Sequence, residues 1–423
     1  MSHLTASDRR HRRVVITGMG VISPAGCTLE DYWRGLTCGR SAIRNVTRFD
    51  TSSLDVHTAG EVDFGPFEAQ VPRTCLHHPD FSIKMGLVAA RQALEDAGLL
   101  DAARNGVRIG ALIGTGLGPC DTVAASYKAY DTHGQRAVRP TTIPRCMFNG
   151  IASEASIAFQ LTGSHSVTAA ACASASMAMC EAYEAVLCGR EDAVLTGGCD
   201  SPLTLSIYIA WANLRVLSDE PDPARAMRPF DRGRKGFVLS EGAGMLIFEE
   251  LEHARRRGAR IYAEVIGHGT SSDATHITKP NAQGQAEAIR RAMRSAGIVP
   301  EDVDYINAHG TATLLNDPTE TEAIKMALGH RAFHVPISST KSVIGHAMGA
   351  SGALELIATI LAMQNQVVPP TVNLDDPDPA CDLDYVPNEP RPAPIRIALK
   401  NSFAFGGSNC VLVVSSYKGD PHG

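Results

Sequence analysis

The chain has 423 residues, 44% of them hydrophobic, which is enough to bury one large core or two fused ones. Its formal net charge of −6 gives no reason to expect nucleic acid as a partner. No apolar run is long enough for a membrane helix without a charge, and the basic amino terminus lacks the apolar segment of a secretory signal. The 11 cysteines show neither zinc-site spacing nor the density of a disulfide scaffold. We therefore expect a soluble, cytoplasmic protein without membrane insertion or a metal site.

Apolar, β-prone runs alternate with helical patterns along the chain. The strand-like runs include RVVITG at 13–18, RIGALIGTG at 108–116 and DAVLTGG at 192–198. Thr28, with Asp31 three residues later, resembles a capping box at the start of a helix. This alternation is typical of an α/β fold in which helices cover a sheet.

The second half of the chain repeats the pattern of the first. RQALEDAG at 91–98 shares its apolar spacing and its closing Ala-Gly with RRAMRSAG at 290–297, and a strand-like run follows each. Further on, the strand-like SVTAA and the helix from Cys172 correspond to VPISST and the helix in 345–361. Two agreements in the same order favour a duplicated architecture over a coincidence between common βα units. The predicted division is an N-terminal half at 12–258, a C-terminal half at 259–418, and flexible termini at 1–11 and 419–423.

Cys172 opens a helix made almost wholly of Ala, Ser and Met, within SVTAAACASASMAMCEAYEAVLCG at 166–189. Small side chains let neighbouring backbones approach closely. The free N–H groups and the dipole at a helix N-terminus favour a thiolate by about 0.3 to 1 kcal/mol. A free cysteine is ordinarily a core residue, and we assign that role to the other cysteines. For Cys172 alone, the setting predicts a nucleophile.

Two histidines lie where predicted strands give way to loops. His309 lies in NAHGTATLLNDPTETEA, and His346 lies in SSTKSVIGHAMGASG before a Gly/Ala-rich helix. A single loop histidine is more often a hydrogen-bonded structural residue than a catalyst, and the chain has 15. Both, however, lie at the edge where α/β folds place their sites. If a pseudo-twofold axis relates the halves, the His346 loop can face the start of the Cys172 helix.

Several of these segments together resemble the β-ketoacyl carrier-protein synthases, the elongating ketosynthases of fatty acid and polyketide assembly. The resemblance rests on the Cys172 helix, NAHGT with His309, STKSVIGH with Lys341 and His346, and NSFAFGGSN at 401–409, and it covers nearly the whole chain. It implies a thiolase-like fold with a duplicated five-layer αβαβα architecture. It also implies an acyltransferase that condenses an acyl group with malonyl carrier protein and loses CO2. No bound cofactor is expected, because the substrates arrive on the phosphopantetheine of acyl carrier protein.

The resemblance also implies roles for individual residues. Cys172 would accept the acyl group, while His309 and His346 would donate hydrogen bonds to the enolate oxygen formed when malonyl loses CO2. The backbone N–H groups of Cys172 and Phe405 would form a second oxyanion hole. Lys341 and Glu320 would form a buried charged pair that supports the histidines. The remaining implied roles are a gate of Phe403 and Phe405, and pantetheine binding by Thr278, Thr311 and Thr313.

Three residues depart from the usual pattern of the family. Ala175 and Met177 stand where most relatives carry a glycine soon after the nucleophile, and they would reshape the wall of the acyl tunnel. Trp211 falls where the family often carries a smaller residue in the acyl pocket. Together they indicate a non-standard acyl chain, such as that of a polyene or aromatic polyketide, rather than housekeeping fatty acid synthesis.

Two kinds of partner follow from the resemblance. The carrier proteins of the family are acidic, so we predict that one docks on a basic run near the tunnel mouth, which comprises Arg225, Arg228, Arg232, Arg234 and Lys235. The family is dimeric, so the second subunit is either an identical chain or a chain-length-factor-like homologue.

Three alternatives remain beside the condensing enzyme. A non-catalytic chain-length partner would lack the cysteine, so Cys172 and the two histidines argue against it. A thiolase would use coenzyme A thioesters and a second cysteine near the C-terminus, but Cys410 follows FGGSN in an apolar strand and looks structural. A lipid-binding scaffold could keep the tunnel without turnover, and thiol alkylation without loss of condensation would favour it.

Overall fold

The computed structural model describes residues 12–104, 107–417 and 419. The strands are β1 Val14–Ile22, β2 Arg44–Asn45, β3 Thr58–Ala59, β4 Gly110–Gly114, β5 His165–Thr168, β6 Ala193–Asp200, β7 Gly242–Glu250, β8 Ala263–Ser272, β9 Tyr305–Asn307, β10 Ile337–Ser338, β11 Val367–Val368, β12 Arg391–Pro392, β13 Ile397–Ala404 and β14 Ser408–Ser415. The α-helices are α1 Leu29–Thr37, α2 Phe81–Asp96, α3 Leu100–Arg104, α4 Cys120–His133, α5 Thr142–Cys146, α6 Gly150–Phe159, α7 Ser174–Leu187, α8 Leu205–Asn213, α9 Leu251–Arg256, α10 Ala282–Ala296, α11 Asn316–Leu328, α12 Lys341–Ile344 and α13 Ser351–Asn365. The termini predicted to be flexible lie outside the described residues, apart from Gly419.

A 10-stranded mixed sheet runs in the order β10-β9-β13-β14-β8-β1-β7-β6-β4-β5. Read from either outer edge, each half has three parallel strands followed by two antiparallel ones: β5, β4, β6, β7, β1 in the first half and β10, β9, β13, β14, β8 in the second. The halves join where Val14 to Ile16 of β1 pairs with Ala263 to Val265 of β8. The same strand order twice confirms the predicted duplication. The predicted boundary at residues 258 and 259 falls between α9 and β8.

Helices complete the five layers. Helices α2 and α6 cover one face of the first half-sheet, and α10 with α11 covers the second. Helices α7 and α13 contact each other and strands of both half-sheets. Nearly every residue of α13 is buried, as expected of a helix that is apolar on all sides. The thiolase-like αβαβα fold is thereby confirmed. No helix in the described part of the chain is both long and apolar enough to cross a membrane.

Local signals in the sequence set the helix ends. The Thr28 hydroxyl accepts a hydrogen bond from the Asp31 backbone N–H at 3.1 Å, so α1 begins where the capping pattern predicts. The matching helices α2 and α10 are followed by glycines with positive φ, 67° at Gly98 and 65° at Gly297. A glycine adopts this left-handed conformation without the strain that a side chain imposes. The repeated Ala-Gly ending therefore terminates the matching helix in the same way in both halves.

Candidate active site

A cavity of about 310 Å³ lies where the two halves meet. Cys172 reaches it from the first half, and His309 and His346 reach it from the second. The three side chains are buried, and the sulfur and one ring nitrogen of each histidine lie within 4.8 Å of one another. As the pseudo-twofold relation predicts, the start of the Cys172 helix faces the loop of His346.

The backbone around Cys172 directs its side chain into the cavity. Ala171 has a φ of 46°, and Met348, its counterpart in the second half, has a φ of 48°. Left-handed backbone is rare for residues with a side chain and is typical of functional sites. Burial raises the pKa of the Cys172 thiol to about 12, although the charge of Lys341 and a hydrogen bond from the backbone of Phe405 oppose the rise. The resting group is therefore a thiol, which needs a base to become a nucleophile.

His346 is that base by position. Its Nε2 lies 3.0 Å from the Cys172 sulfur, and its Nδ1 lies 2.9 Å from the Ser351 hydroxyl. Burial, followed by the charges of Lys341 and Lys400, holds the pKa of His346 well below 6.5. The ring is therefore uncharged at neutral pH. The Ser351 hydroxyl can accept a hydrogen bond from Nδ1–H, which leaves a lone pair on Nε2, or donate to a bare Nδ1, which leaves the ring proton on Nε2. Either tautomer of His346 is therefore supported.

His309 is fixed so that its other nitrogen faces the cavity as a donor. The Lys341 ammonium donates to the His309 carbonyl at 2.7 Å and lies 3.4 Å from its Nδ1. Because an ammonium only donates, Nδ1 accepts and the ring proton stays on Nε2. Burial and the charge of Lys341 hold the pKa of His309 well below 6.5. The two histidine rings lie 5.5 Å apart, so both face the same space beside Cys172.

The predicted pair of Lys341 with Glu320 is wrong. Lys341 instead forms its ion pair with Glu355 of α13, whose other oxygen lies 3.2 Å from the Lys400 ammonium. Glu320 lies on α11, where its two oxygens each accept a backbone N–H at 2.8 Å, one from His309 and one from Gly310. Its oxygens are thus occupied in holding the His309 loop. Sequence reasoning missed Glu355 and Lys400, although each is the single charged residue within an apolar run, LELIAT and IALKNSF respectively.

Removing the carboxylate that Lys341 and Lys400 share should destabilise the whole fold. We expect Glu355→Ala to lower the free energy of unfolding by about 3 to 5 kcal/mol, because two fully buried ammonium groups lose their counter-charge. Urea denaturation followed by circular dichroism measures the change. The control is Glu252→Ala, which breaks the 2.8 Å pair of a 57% exposed glutamate with Arg255 and should change stability by under about 1 kcal/mol. Equal stability losses in the two variants would contradict the assignment.

Aromatic side chains line the cavity next to the cysteine. Phe405 is half-buried and stacks on Trp211 with ring centroids 5.9 Å apart, and Trp211 meets the edge of Phe237 at 5.6 Å. Phe403 is buried, with its ring 6.1 Å from that of His309. Gly406 follows Phe405 with a φ of 82°. The residues predicted as a gate and Trp211 therefore lie at the cavity, and opening of the gate stays a prediction.

The other predicted pocket residues do not line the cavity. Ala175 packs against Gly114 and Gly198, and a side-chain carbon at Gly198 would lie 2.8 Å from the Ala175 methyl group. Met177 packs against the apolar core around the inner helices. Cys172 lies in a short 3-10 turn and lines the cavity, whereas Ala175 and Met177 lie in the following helix α7 and do not line it. The prediction that Ala175 and Met177 shape the acyl tunnel is therefore not supported by their positions.

The threonines predicted to bind pantetheine do line the cavity. Thr278 lies on the loop before α10, while Thr311 and Thr313 lie on the loop after His309. The hydroxyls of Thr311 and Thr313 are 3.0 Å apart. Their assignment to the pantetheine arm stays a prediction.

The basic run predicted to dock the carrier protein is largely neutralised. Its five cations pair with acidic side chains: Arg225 with Asp375 at 3.2 Å, Arg228 with Glu220 at 3.4 Å, Arg232 with Asp376 at 3.5 Å, Arg234 with Asp378 at 2.6 Å and Lys235 with Asp219 at 3.1 Å. Arg234 is only 2% exposed and Arg228 only 12%, so these two cannot meet a partner. The prediction is wrong for both, because sequence shows charge but not burial.

Two cations that the sequence reasoning missed line the cavity. Arg215 and Lys279 are exposed, and within the described ranges neither forms an ion pair. Lys235 is the one member of the predicted run that also lines the cavity. The signal was weak, since Arg215 and Lys279 are isolated basic residues outside any charge run.

A duplicated thiolase-like fold that brings a buried thiol and two uncharged imidazoles together defines a thiol-dependent acyltransferase. The family model described as "Beta-ketoacyl synthase, N-terminal domain" matches residues 11–254, and that described as "Beta-ketoacyl synthase, C-terminal domain" matches residues 262–375. The chain belongs to the β-ketoacyl synthase family. The resemblance and the enzyme class predicted from sequence are thus confirmed.

Relatives match the chain over nearly its full length. Proteins named 3-oxoacyl-[acyl-carrier-protein] synthase 2 from Coxiella burnetii (strain RSA 493 / Nine Mile phase I) and Synechocystis sp. (strain ATCC 27184 / PCC 6803 / Kazusa) are both 42% identical to it over 410 residues, covering 96% of this chain and 98% and 99% of theirs. Among solved structures, a β-ketoacyl synthase from Burkholderia phymatum STM815 has a TM-score of 0.90 at 34% identity. The ishigamide ketosynthase/chain length factor has a TM-score of 0.89 at 37% identity. Each structural match covers 96% of this chain and 100% of the other.

Proposed function

We propose that this protein catalyses the decarboxylative Claisen condensation of an acyl group on Cys172 with malonyl carrier protein, giving a β-ketoacyl carrier protein. The observation that carries the proposal is the convergence of Cys172, His309 and His346 on one cavity with both imidazoles uncharged. The names of the full-length relatives, which specify a 3-oxoacyl product and a carrier protein, support the same reaction.

The first half-reaction loads the enzyme. The Cys172 sulfur attacks the thioester carbon of the acyl carrier protein while His346 Nε2, 3.0 Å away, takes the thiol proton. The negative charge on the tetrahedral oxygen is stabilised by the N–H groups of Cys172 and Phe405. The intermediate collapses, the bond to the carrier sulfur breaks, and the carrier leaves as a thiol with the proton from the imidazolium. The acyl group stays on Cys172 as a thioester.

The second half-reaction forms the carbon–carbon bond. The bond between the malonyl carboxylate and its α-carbon breaks, CO2 leaves, and the electron pair forms an enolate. His309 Nε2–H, and His346 Nε2–H when Ser351 donates to Nδ1, stabilise the enolate oxygen. The enolate carbon attacks the acyl carbon, and the bond to Cys172 breaks. The released thiolate takes a proton from solvent. No step needs a bound cofactor, because phosphopantetheine belongs to the substrates.

Paired substrate sets test this reaction against its alternatives. We expect a product two carbons longer on the carrier protein when acyl carrier proteins of several chain lengths are supplied with malonyl carrier protein. The same mixture without the acyl donor gives the background. Condensation with coenzyme A thioesters alone would favour the thiolase alternative, while stable acyl binding without product would favour the scaffold. The preferred length also tests whether Trp211 selects a non-standard acyl chain.

We expect the carrier protein to dock at the mouth of the cavity rather than along the whole of 225–235. Arg215 and Lys279 are exposed there without ion pairs among the described residues, whereas Arg225 and Arg232 each have an aspartate partner. Apolar side chains around them are 45 to 70% exposed: Leu214 at 45%, Ile277 at 70%, Leu314 at 66% and Leu315 at 57%. Free cations beside apolar surface suit an acidic protein partner.

Charge reversal at the mouth should weaken use of the carrier substrate. We expect Arg215→Glu with Lys279→Glu to raise the KM for the acyl carrier protein about tenfold or more and to flatten its salt dependence. The matched control is Arg225→Glu with Arg232→Glu, whose cations are already paired and which should raise KM about twofold at most. Steady-state kinetics at several salt concentrations provide the comparison. A larger effect in the control would restore the original docking prediction.

A second chain of the same fold is expected to cover the outer edge of the first half-sheet. Strand β5 pairs with β4 on one side and with no other described strand. Beside it, α4 to α6 expose large apolar side chains: Val123, Tyr127, Tyr130, Ile143, Met147, Phe148 and Ile157. An open edge next to apolar surface is typical of an interface. The name of the solved ishigamide ketosynthase/chain length factor supports pairing with a second chain.

The mass in solution tests the pairing. We expect the protein expressed alone to have twice the chain mass of 45.0 kDa by light scattering. A monomer that doubles in mass only with a co-expressed homologue would indicate a heterodimer. A monomer under both conditions would contradict the assignment of this face.

A further inference from the structure

Lys400 is a fully buried cation for which the proposed reaction has no use. It lies on β13, and its ammonium donates to the Ser176 hydroxyl on α7 at 2.8 Å and to the hydroxyl of Ser402. The same nitrogen lies 3.2 Å from a Glu355 oxygen on α13. One side chain therefore connects the helix that follows Cys172 with the strand and helix of the other half.

The surrounding chain leaves room for this ammonium. A side-chain carbon at Gly352 would lie 2.4 Å from the Ser176 hydroxyl oxygen and 3.2 Å from the Lys400 nitrogen. A distance of 2.4 Å is far below van der Waals contact, so a larger residue at Gly352 would displace the Ser176 hydroxyl and crowd the Lys400 ammonium. An ammonium in such a place costs several kcal/mol of desolvation unless opposite charge balances it. The geometry indicates that the surrounding residues accommodate the Lys400 ammonium specifically.

Lys400 gives the buried charges beside the cavity a positive component. Lys341 and Lys400 pair with one carboxylate, that of Glu355, so these three groups together carry one positive charge. Glu320 is also fully buried, and its partners are backbone N–H and amide donors rather than an ammonium. Without Lys400, Lys341 and Glu355 would form a neutral pair, and the charge of Glu320 would be left over. The excess negative charge would oppose a thiolate on Cys172 or an enolate beside it, and it would favour a protonated imidazole.

The other neighbours do not supply that cation. The thiols of Cys180 on α7 and Cys410 on β14 lie 3.3 Å apart on elements beside Lys400, and a thiol supplies no positive charge. A third carboxylate, Asp200, approaches Cys172 from β6, and its partners among the described residues are hydroxyl and backbone N–H donors, among them Gly349 at 2.6 Å. Around the histidines the described charged groups include Lys341 and Lys400 with their shared partner Glu355, and Glu320 beside Asp317, which lies 3.8 Å from Arg234.

We propose that Lys400 is a positioning residue of the condensing site, whose charge leaves the cluster of Lys341, Lys400 and Glu355 positive and keeps the two histidines uncharged for the reaction at Cys172. The inference rests on the proposed function. It is supported by the directions of the histidine pKa values, which burial, Lys341 and Lys400 all lower.

The test is the pH dependence of Cys172 alkylation by iodoacetamide, followed by peptide mass spectrometry. Alkylation needs His346 as a base, so the rate falls where His346 becomes protonated. We expect this acid limb well below pH 6.5 in the wild type and about one pH unit higher in Lys400→Met, because the loss of a nearby positive charge eases protonation. In condensation, we expect kcat to fall about tenfold while KM stays within about twofold.

Two further variants separate charge from packing. Ser176→Ala removes a hydrogen bond of Lys400 but keeps its charge, so its acid limb should match the wild type. Glu355→Gln removes a negative charge, so its limb should move to lower pH even if Lys400→Met does not fold. The inference would be overturned if folded Lys400→Met had the acid limb of Cys172 alkylation at the wild-type pH, or if the acid limb of Glu355→Gln moved to higher pH. If the limb moves as expected but the wild type makes no condensation product, the charge role stands and the proposed function fails.

Discussion

Replacement of Cys172 by alanine should abolish acyl loading, with a loss of at least about 10⁵-fold in condensation rate. The variant keeps the cavity and both histidines, but it has no atom that can form the thioester. Intact-mass measurement after incubation with acyl carrier protein should show an adduct on the wild type and none on Cys172→Ala. The matched control is Cys188→Ala, which removes an exposed thiol at the end of α7 and should keep the full adduct.

Retained loading in Cys172→Ala would contradict the assignment of the nucleophile. Peptide mapping would then locate the acyl group. An adduct on Cys410 would favour the thiolase alternative, although Cys410 is fully buried in β14 with its sulfur against Cys180. The structure gives Cys410 no opening to the cavity that holds the two histidines.

Replacement of His309 by alanine should separate the two half-reactions. We expect condensation to fall about 10²- to 10³-fold, because one donor to the enolate oxygen is lost. Acyl loading should fall by less than about tenfold, because His346 and not His309 lies 3.0 Å from the Cys172 sulfur. Single-turnover experiments measure loading with acyl carrier protein and condensation with malonyl carrier protein on the same preparation.

A second histidine variant serves as the control. His268→Ala removes a ring that bonds Glu184 at 2.9 Å and does not line the cavity, so both half-reactions should stay close to wild type. Equal losses of loading and condensation in His309→Ala would indicate that His309 only supports the loop. Because the pKa of His309 lies well below 6.5, its donor role should also be constant from pH 7 to 8.

The fold could be predicted because its signals are local and repeated. The matching helix endings at Gly98 and Gly297 and the alternation of strands with helices depend on residues that are neighbours in the sequence. The same is true of Cys172, His309 and His346, which lie within short motifs at the ends of strands. Duplication then placed the motifs from the two halves opposite each other.

Other site residues could not be predicted because their partners depend on packing between distant segments. Lys341 pairs with Glu355 rather than Glu320 since α13 runs through the interior beside it, which no spacing in the chain reveals. Arg234 looks like part of a basic surface in the sequence, but it is buried against Asp378. The sequence places Lys400 in a strand, but it does not reveal that the Lys400 ammonium donates to Ser176 of the other half.

The most direct test of the central claim is a two-step single-turnover experiment on the wild-type enzyme, read by intact mass. Acyl carrier protein is added first, the enzyme is separated from it, and malonyl carrier protein is then added. We predict an acyl adduct on Cys172 that disappears in the second step, with release of CO2 and a product on the carrier two carbons longer than the acyl donor. An adduct that persists, or one that is released as a free acid with no longer product, would contradict the condensing function.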